Sequence, residues 1–248
     1  MSSSTRLRLR SRSLPRTHTL TLRVRITARA HAEVRVCSNK TCRKQTSAQT
    51  LALMTDAAPL DIHVDSCGCL GNCGNGPNVL VLNRETSEET VVNHVSTPAQ
   101  AAKLLASLTS IDVSFEQILA AMEVMGEVRK RMYDEHDEEA EALLTNLLER
   151  NLPTPPRYTL LEYRAASRRR LGKLEGALDD ANEATSCCPE GHGEPWIQRA
   201  DVLRELGELD KAMQAILDAG DIERALRSDA RYRSKKRKLK QQVQQAHA

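Results

Sequence analysis

Two stretches of this 248-residue chain repeat one another so closely that they restrict how its C-terminal half can fold. Residues 171–177 read LGKLEGA and residues 206–212 read LGELDKA, an offset of 35 residues. Small residues recur at the same offset before and after each stretch: Ala165 with Ala200, and Ala184 with Ala219. Around them, residues 111–235 hold Ala, Leu, Glu and Arg at helical spacing and show no strand pattern. An internal repeat of this length predicts stacked helix pairs that pack closely at the small residues.

This region resembles a short tetratricopeptide array, a family of helical repeats with a period of about 34 residues. Trp196 stands at the usual aromatic start of a repeat and Pro189 at its usual end. Arg168 departs from the family, which usually has a large apolar residue there, and we interpret the run Arg168–Arg170 as a solvated face. The resemblance implies that residues 111–235 form an all-α domain that binds a protein partner.

An earlier and weaker unit fits residues 122–148, where Ala140 aligns with Ala177 at an offset of 37 residues. A repeat stack needs about three units and a polar cap. We expect a helix from Arg224 to Gln245 to supply that cap, and the last residues, 236–248, are predicted to be a basic, polar tail.

Residues 33–110 carry a different pattern, typical of a compact α/β unit with a mixed sheet. Apolar runs and alternations predict strands, whereas an apolar face or an N-capping sequence predicts a helix. The predicted strands are Glu33–Val36, Leu60–Val64, Val79–Leu82 and Val91–Val95. The predicted helices are Gln45–Ala57 and one that Thr97 caps, with Gln100 completing a capping box. The resulting order is β-α-β-β-β-α.

Four cysteines in two short motifs lie near the ends of these predicted strands. Cys37 and Cys42 are spaced C-x4-C, and Cys69 and Cys73 are spaced C-x3-C before the sequence Gly74-Asn75-Gly76-Pro77. Four thiolates in two loops can hold a tetrahedral metal ion or the two irons of a [2Fe–2S] cluster. The glycines leave room for inorganic sulfide and free backbone N–H groups to hydrogen-bond sulfur.

The paired motif, with C-x-x-G-P before an apolar strand, resembles the thioredoxin-like [2Fe–2S] ferredoxins. Relatives of that family include the small cluster-bearing subunit of respiratory complex I. The resemblance covers about residues 34–108 and implies a thioredoxin-like fold with a cluster held by Cys37, Cys42, Cys69 and Cys73. Joined to the tetratricopeptide-like half, the chain is similar to plastid proteins of plants and green algae. Its helices follow the cluster domain, whereas in the complex I subunit they precede it.

Other interpretations of the cysteines stay open. A structural zinc site with four Cys ligands suits the same motifs, whereas a dithiol redox catalyst would want C-x-x-C, which is absent. Cys67 is interpreted as a packed thiol beside the cluster or as one half of a regulatory disulfide. We expect Cys187 and Cys188 to be surface or packing residues at a repeat turn. His63 and His94 are expected on strands, either at the surface or near the cluster.

The net charge of +3 conceals three blocks of different sign. Residues 1–32 carry +8 with no acid, residues 224–248 also carry +8, and the body between them carries −13, of which −12 lies in residues 111–223. An Arg- and Ser-rich, acid-free N-terminus is typical of an organelle transit peptide. Its apolar residues alternate with period two, which favours a chloroplast over a mitochondrion. The acidic helical half favours a basic partner segment, and the basic C-terminus would compete by folding back onto it.

Together these patterns predict an electron-transfer protein with a module for protein partners. The alternatives are an organellar assembly factor or scaffold with a structural or redox-sensing cluster, and a cluster-bearing subunit of a larger oxidoreductase complex. The partner would be a redox protein or an organellar complex, and a homodimer stays open. No nucleophile motif, phosphate-binding loop or nucleotide fingerprint appears, so we do not expect an enzyme. No aromatic residue precedes Phe115, which argues against nucleic-acid stacking there, and no apolar run approaches the ~20 residues of a membrane span.

Overall fold

The computed structural model describes residues 30–247. Most of the predicted transit peptide, residues 1–29 of 1–32, lies outside the described residues, so this prediction and the chloroplast location that depends on it stay predictions. The α/β part consists of β1 (Ala32–Cys37), α1 (Lys40–Lys44), α2 (Ser47–Ala57), β2 (Ile62–Cys67), β3 (Val79–Asn83), β4 (Glu89–Val92) and α3 (Pro98–Leu108).

The remaining described chain is helical. It consists of α4 (Phe115–Tyr133), α5 (Asp137–Arg150), α6 (Arg157–Arg170), α7 (Leu174–Cys187), α8 (Glu194–Glu205), α9 (Leu209–Ile222), a 3-10 turn (Arg224–Ser228) and α10 (Ala230–Ala246). Between residues 30 and 247, no helix has both the length and the apolar character that a membrane crossing requires.

The four strands form one mixed sheet in the order β2-β1-β3-β4. β1 pairs in parallel with β2 and antiparallel with β3, and β3 pairs antiparallel with β4. A parallel pair needs a crossover connection, which α1 and α2 supply. The inward valines of the two central strands are 6% exposed or less: Val34, Val36, Val79 and Val81. The predicted small mixed sheet is confirmed, and its parallel pair directs the C-terminal ends of β1 and β2 to the same edge.

Local details differ from the predicted elements. The second strand runs to Cys67 rather than ending at Val64, because β2 pairs with β1 along its whole length. The fourth strand ends at Val92, since His94 adopts a φ of +60° that interrupts extended structure. The short helix α1 was not predicted. The capping box of Thr97 and Gln100 at the start of α3 is confirmed.

The two sequence repeats become helix hairpins with matching backbone hydrogen bonds. Gly172 and Gly207 both adopt left-handed φ values, +73° and +80°. In each hairpin the N–H of the next residue donates to a carbonyl five residues earlier, both at 2.9 Å: Lys173 to Arg168, and Glu208 to Leu203. The repeat-related alanines are 3% exposed or less: Ala165, Ala177, Ala184, Ala200, Ala212 and Ala219. The predicted close helix packing is therefore confirmed, and this half of the chain is a stack of helix hairpins.

The earlier and weaker unit is also a hairpin, formed by α4 and α5. Glu135, which the 37-residue offset aligns with Gly172, adopts the same left-handed conformation at φ +62°. The N–H of His136 donates to the carbonyl of Arg131 at 2.8 Å. The N–H of Lys173 donates to the carbonyl of Arg168 in the same way in the hairpin of α6 and α7. The irregular offset therefore leads to a turn of the same geometry, with Glu135 in place of the glycine.

The sequence suggested a solvated face at the run Arg168–Arg170, but of the three only Arg170 is exposed. Arg168 donates to Glu141 at 2.8 Å and to Asp180 at 2.9 Å, which joins α6 to α5 and α7. Its stem lies over Gly176, where an added Cβ would approach the guanidinium at 3.5 Å. The charged side chain can lie between the helices because two acids from neighbouring helices neutralise it. The other two arginines of the run also form ion pairs, with Glu205 and Asp137.

The basic C-terminus folds back onto the helical stack, as expected. α10 continues to Ala246 across the predicted boundary between 235 and 236. The Tyr232 hydroxyl donates to the Ile216 carbonyl at 2.7 Å, and Leu239 is 4% exposed. Lys235 forms an ion pair with Asp201 of α8. The helix thus caps the stack through both apolar and charged contacts.

A buried carboxylate joins the α/β part to the helices. Asp56 of α2 accepts hydrogen bonds from the Tyr163 hydroxyl at 3.0 and 3.1 Å and lies 3.1 Å from the Arg129 guanidinium. Burial raises the pKa of Asp56 to about 6, despite these two partners. Nearby, the Thr154 hydroxyl donates to the Ala57 carbonyl at 2.8 Å. The two parts are therefore held by specific polar contacts as well as by packing.

Candidate functional site

The four candidate cysteines gather at the sheet edge where β1 and β2 end. Cys37 is the last residue of β1, and Asn39 then caps α1 with its side chain, so that Cys42 lies on the first turns of that helix. Cys69 and Cys73 belong to the loop between β2 and β3. The parallel pairing of β1 and β2 places both motifs at one edge, because it aligns Cys37 with Cys67 at the strand ends.

Cys37 and Cys42 form a buried pair, and each is 1% exposed. The two thiols are close enough to affect each other's pKa. Burial raises the pKa of Cys37, but hydrogen bonds to its sulfur from the backbones of Asn39 and Leu70, and from Cys42, lower it below the ordinary value. Burial raises the pKa of Cys42. One thiol of this pair is therefore stabilised as the thiolate, which is the form that binds a metal.

Cys69 and Cys73 form an exposed pair whose sulfurs lie 3.7 Å apart. The hydrogen bond and charge of Cys69 raise the pKa of Cys73, while the Thr41 side chain of α1 hydrogen-bonds its sulfur. The two pairs also interact electrostatically, because the charge of Cys37 contributes to the raised pKa of Cys73. The loop and α1 meet again where the Gln45 amide donates to the Gly74 carbonyl at 3.2 Å.

Gln45 and Asn78, which the sequence did not single out, shape the space around Cys42 together with Gly76. The Asn78 amide lies 3.8 Å from the Cys42 sulfur and donates to the Asn72 carbonyl at 2.8 Å. A Cβ at Gly76 would approach the Cys42 sulfur at 2.9 Å and Gln45 Oε1 at 2.6 Å. Gln45 Oε1 and Asn78 Oδ1 are buried without a hydrogen-bond partner. Nothing in the local sequence marks Gln45 or Asn78, because their role comes from a loop that folds over α1.

The donor set suits a soft metal or an iron–sulfur group, because all four candidate atoms are sulfurs. Two thiolates on one tetrahedral metal, each at about 2.3 Å, are separated by about 3.7–3.8 Å. The sulfurs of Cys69 and Cys73 already have this separation. Among residues 30–247, however, no three His, Cys, Asp or Glu side chains converge in a group that could hold a single ion. The cysteines are thus arranged as two pairs rather than as one closed set of four.

The other cysteines lie apart from these pairs or at their margin. Cys67 is half-buried, its sulfur lies 3.7 Å from the Arg35 carbonyl, and burial raises its pKa. Cys187 and Cys188 pack against the core of the helical half, as expected, and burial raises their pKa values to about 11 and about 12. The described residues contain no disulfide among these cysteines.

The two histidines have different surroundings. His94 is exposed beside the cysteine loop, and its backbone N–H donates to the Asn75 carbonyl at 2.9 Å. His63 of β2 instead contacts His192 of the α7–α8 connection, with ring centroids 5.1 Å apart. Burial, and then the charge of His63, lower the pKa of His192 to about 4. The His63–His192 contact therefore belongs to the junction between the two parts of the chain.

A second candidate region is a cavity of about 350 Å³ in the helical half. It lies between α6, α8, α9 and α10, and basic side chains from three of these helices line it: Arg169, Arg204, Lys235 and Lys238. Asp201 and the apolar Ala200, Ile216 and Leu239 complete much of the wall. Two of the four cations are ion-paired to a single acid, since Glu205 accepts from both Arg169 and Arg204.

Comparisons with known proteins find likeness among solved structures alone. No protein-family model matches the chain. No curated protein matches it either. Among solved structures, the chain is similar to the first TPR domain of the human RPAP3 protein, determined by NMR. The match has 19% sequence identity and a TM-score of 0.45, and it covers 50% of this chain and 93% of that domain.

Proposed function

We propose that this chain is a one-electron carrier that holds a [2Fe–2S] cluster with Cys37, Cys42, Cys69 and Cys73, and that its helical half docks a protein partner. The observation that carries the proposal is the arrangement of four thiols as two adjacent pairs at one sheet edge. A [2Fe–2S] cluster takes two thiolates on each of two irons, so it requires two pairs. A single zinc ion would require four sulfurs around one point.

Further features support the same proposal. The mixed sheet, with a parallel β-α-β unit followed by antiparallel strands and a helix, agrees with a thioredoxin-like domain. Gly76 keeps the position beside the Cys42 sulfur free of a side chain, so a group bound to that sulfur would meet no crowding from this residue.

When bound, the cluster would supply one-electron oxidation and reduction. The residues of this chain would hold and tune it. Backbone groups of Asn39 and Leu70 donate to Cys37, and the Asn78 amide lies close to Cys42; such donors stabilise negative charge on sulfur. The buried pair shields one side from water, whereas Cys69 and Cys73 lie at the surface. Electrons would therefore enter and leave on the side of the exposed pair.

The helical half would select the partner, because three stacked hairpins present an extended surface of the kind that repeat proteins use for binding. Residues 111–223 carry −12, which favours a basic segment of the partner. α10 already places Lys235 against Asp201 on this surface. We further propose that residues 1–32 direct the protein to the chloroplast, with the mitochondrion as the alternative.

The direct experiment is anaerobic purification followed by iron, sulfide and zinc analysis. We expect about two irons and two sulfides per chain and an EPR signal that appears on reduction. Ser substitution at any of the four proposed ligands should remove or strongly alter the visible spectrum. The matched controls Cys67→Ser and Cys187→Ser should leave it recognisable. About one zinc per chain without sulfide would contradict the proposal.

A second candidate function is a partner-binding scaffold whose cluster is structural or redox-sensing. The three-hairpin stack, with its own core and cap, favours it, since these features do not depend on the cysteine site. Partner capture from an organelle extract by the intact protein and by Cys69→Ser separates the two functions. Capture that is unchanged between the two proteins, and insensitive to oxidation state, would favour the scaffold.

A further inference from the structure

The helix that carries Cys42 is unusually basic on its exposed side. α1 contains Lys40, Arg43 and Lys44, all exposed, within five residues. A helix of five residues is only about 7.5 Å long, so the three cations lie close to the sulfur of Cys42 and to the loop that α1 contacts. Among residues 30–247, no acidic side chain forms an ion pair with any of the three. Their charge is therefore available to a partner.

The two cysteine-bearing segments themselves contain no acid, and the nearest one in sequence is Asp65, two residues before Cys67. We call the segments 37–46 and 67–78 together the cysteine face, because they carry all four candidate ligands. The cysteine face has three cations and no Asp or Glu, while its second segment is entirely uncharged. Cys69 and Cys73 are exposed within it. The acidic side chains of the α/β part that form the Glu33 and Glu85 ion pairs lie at the opposite end of β1 and β3, beside the hairpin.

We propose that the cysteine face docks an acidic surface of a redox protein, while the acidic helical half takes a partner of the opposite charge. This inference rests on the proposed function, since it assigns the class of partner that exchanges electrons at the exposed pair. A local positive field raises the rate of encounter with an anionic partner and orients it. The end of α1 contacts the loop that carries the two exposed sulfurs, since the Gln45 amide donates to the Gly74 carbonyl, so a partner drawn to α1 arrives beside that loop.

The positive field of α1 can be tested directly with two inorganic oxidants, one an anion and the other a cation. The protein is reduced with dithionite, excess reductant is removed, and the reduced protein is mixed with ferricyanide or hexaamminecobalt(III). Each protein gives up one electron, which converts one Fe(III) or one Co(III) of the oxidant to the divalent ion. The readout is the ratio of the two second-order rate constants in the stopped-flow instrument. At low ionic strength we expect K40E/R43E/K44E to lower this ratio by about tenfold or more.

The matched control reverses three exposed cations of the helical half, K130E/R150E/K240E. These residues have no ion pair among the described side chains, and the change in net charge is the same. Charges farther from the cysteines than a Debye length of about 10 Å at 0.1 M salt contribute little. The control should therefore keep most of the wild-type ratio. The neutral variant K40Q/R43Q/K44Q, which avoids acids near the end of α1, should give an intermediate ratio.

A second readout needs no cluster. In metal-free protein, the fast-reacting thiols are followed with 5,5′-dithiobis(2-nitrobenzoate), which is a dianion, and with neutral 4,4′-dithiodipyridine. A protein thiolate attacks one sulfur of the reagent, the reagent's disulfide breaks, a mixed disulfide forms and one aryl thiolate leaves, while the thiol proton passes to buffer. Loss of the fast phase in Cys69→Ser assigns it to the exposed pair. In K40E/R43E/K44E, the rate of the fast phase should fall relative to wild type, and the fall should be several-fold larger with the dianion than with the neutral reagent.

The outcomes separate this proposal from the proposed function. Absence of iron and sulfide would defeat the electron-transfer function, yet a charge-selective thiol reaction would still support an anion-attracting cysteine face. A bound cluster combined with equal oxidant ratios in wild type, the α1 variant and the control would overturn the docking proposal alone. Equal thiol selectivity in the α1 variant and the wild type would overturn it too.

Discussion

Gly76→Ala is the substitution that most sharply tests the packing of the cysteine site. The new Cβ would lie 2.9 Å from the Cys42 sulfur and 2.6 Å from Gln45 Oε1, whereas ordinary contacts between non-bonded heavy atoms are about 3.5–4.0 Å. Gln45 can turn away, but Cys42 is 1% exposed and is held on α1. The sulfur or the loop must therefore move by several tenths of an ångström. Overpacking of this kind costs about 1–3 kcal/mol of unfolding free energy.

The matched control is Gly68→Ala in the same loop. A Cβ at Gly68 meets no atom within 4 Å and its backbone φ is accessible to alanine, so stability should be unchanged or rise slightly. Calorimetry of the metal-free proteins should show a lower melting temperature for Gly76→Ala, by about 2–4 °C per kcal/mol. After anaerobic reconstitution, Gly76→Ala should also retain less iron and sulfide than Gly68→Ala. Equal stability and equal iron content in the two variants would refute the argument that Gly76 is required for space beside Cys42.

Three further predictions concern the helical half and its junction. Burial raises the pKa of Asp56 to about 6, so the folded protein keeps this proton to higher pH than the unfolded chain does. The unfolding free energy of wild type relative to Asp56→Asn should therefore fall by about 2 kcal/mol from pH 4 to pH 7 in urea titrations. A rise would show that the ion pair outweighs burial. Arg168→Leu should lower the unfolding free energy by about 1–3 kcal/mol, since two acids lose a shared partner. The control Lys173→Leu, at an exposed position, should lower it by less than about 1 kcal/mol. Equal effects of the two substitutions would contradict a structural role for Arg168. Ala177→Leu should lower the unfolding free energy by about 1–3 kcal/mol, and Ala200→Leu should lower it less because Ala200 borders the helical cavity. A larger loss for Ala200→Leu in chemical denaturation would contradict this reasoning.

Local patterns in the sequence predicted the elements whose causes are themselves local. The repeated Leu-Gly stretches predicted two hairpins, because a left-handed turn favours glycine and a close helix contact favours alanine. Even the irregular offset of 37 residues located the third turn, where Glu135 replaces the glycine. Thr97 and Gln100 predicted the start of α3, since a capping box spans only four residues. The spacing of the cysteines also restricted the site to two short loops.

Tertiary structure decided what depends on residues far apart in the chain. Arg168 changes from a predicted solvated residue to a bridge because Glu141 and Asp180 approach it from other helices. The roles of Asn78 and Gly76 arise only when the β2–β3 loop lies against α1. The 3.7 Å separation of Cys69 and Cys73, and the burial of the other pair, depend on the sheet edge that brings both motifs together. Spacing in sequence limits which sulfurs are near one another, but distances and burial follow from long-range packing, which no local pattern records.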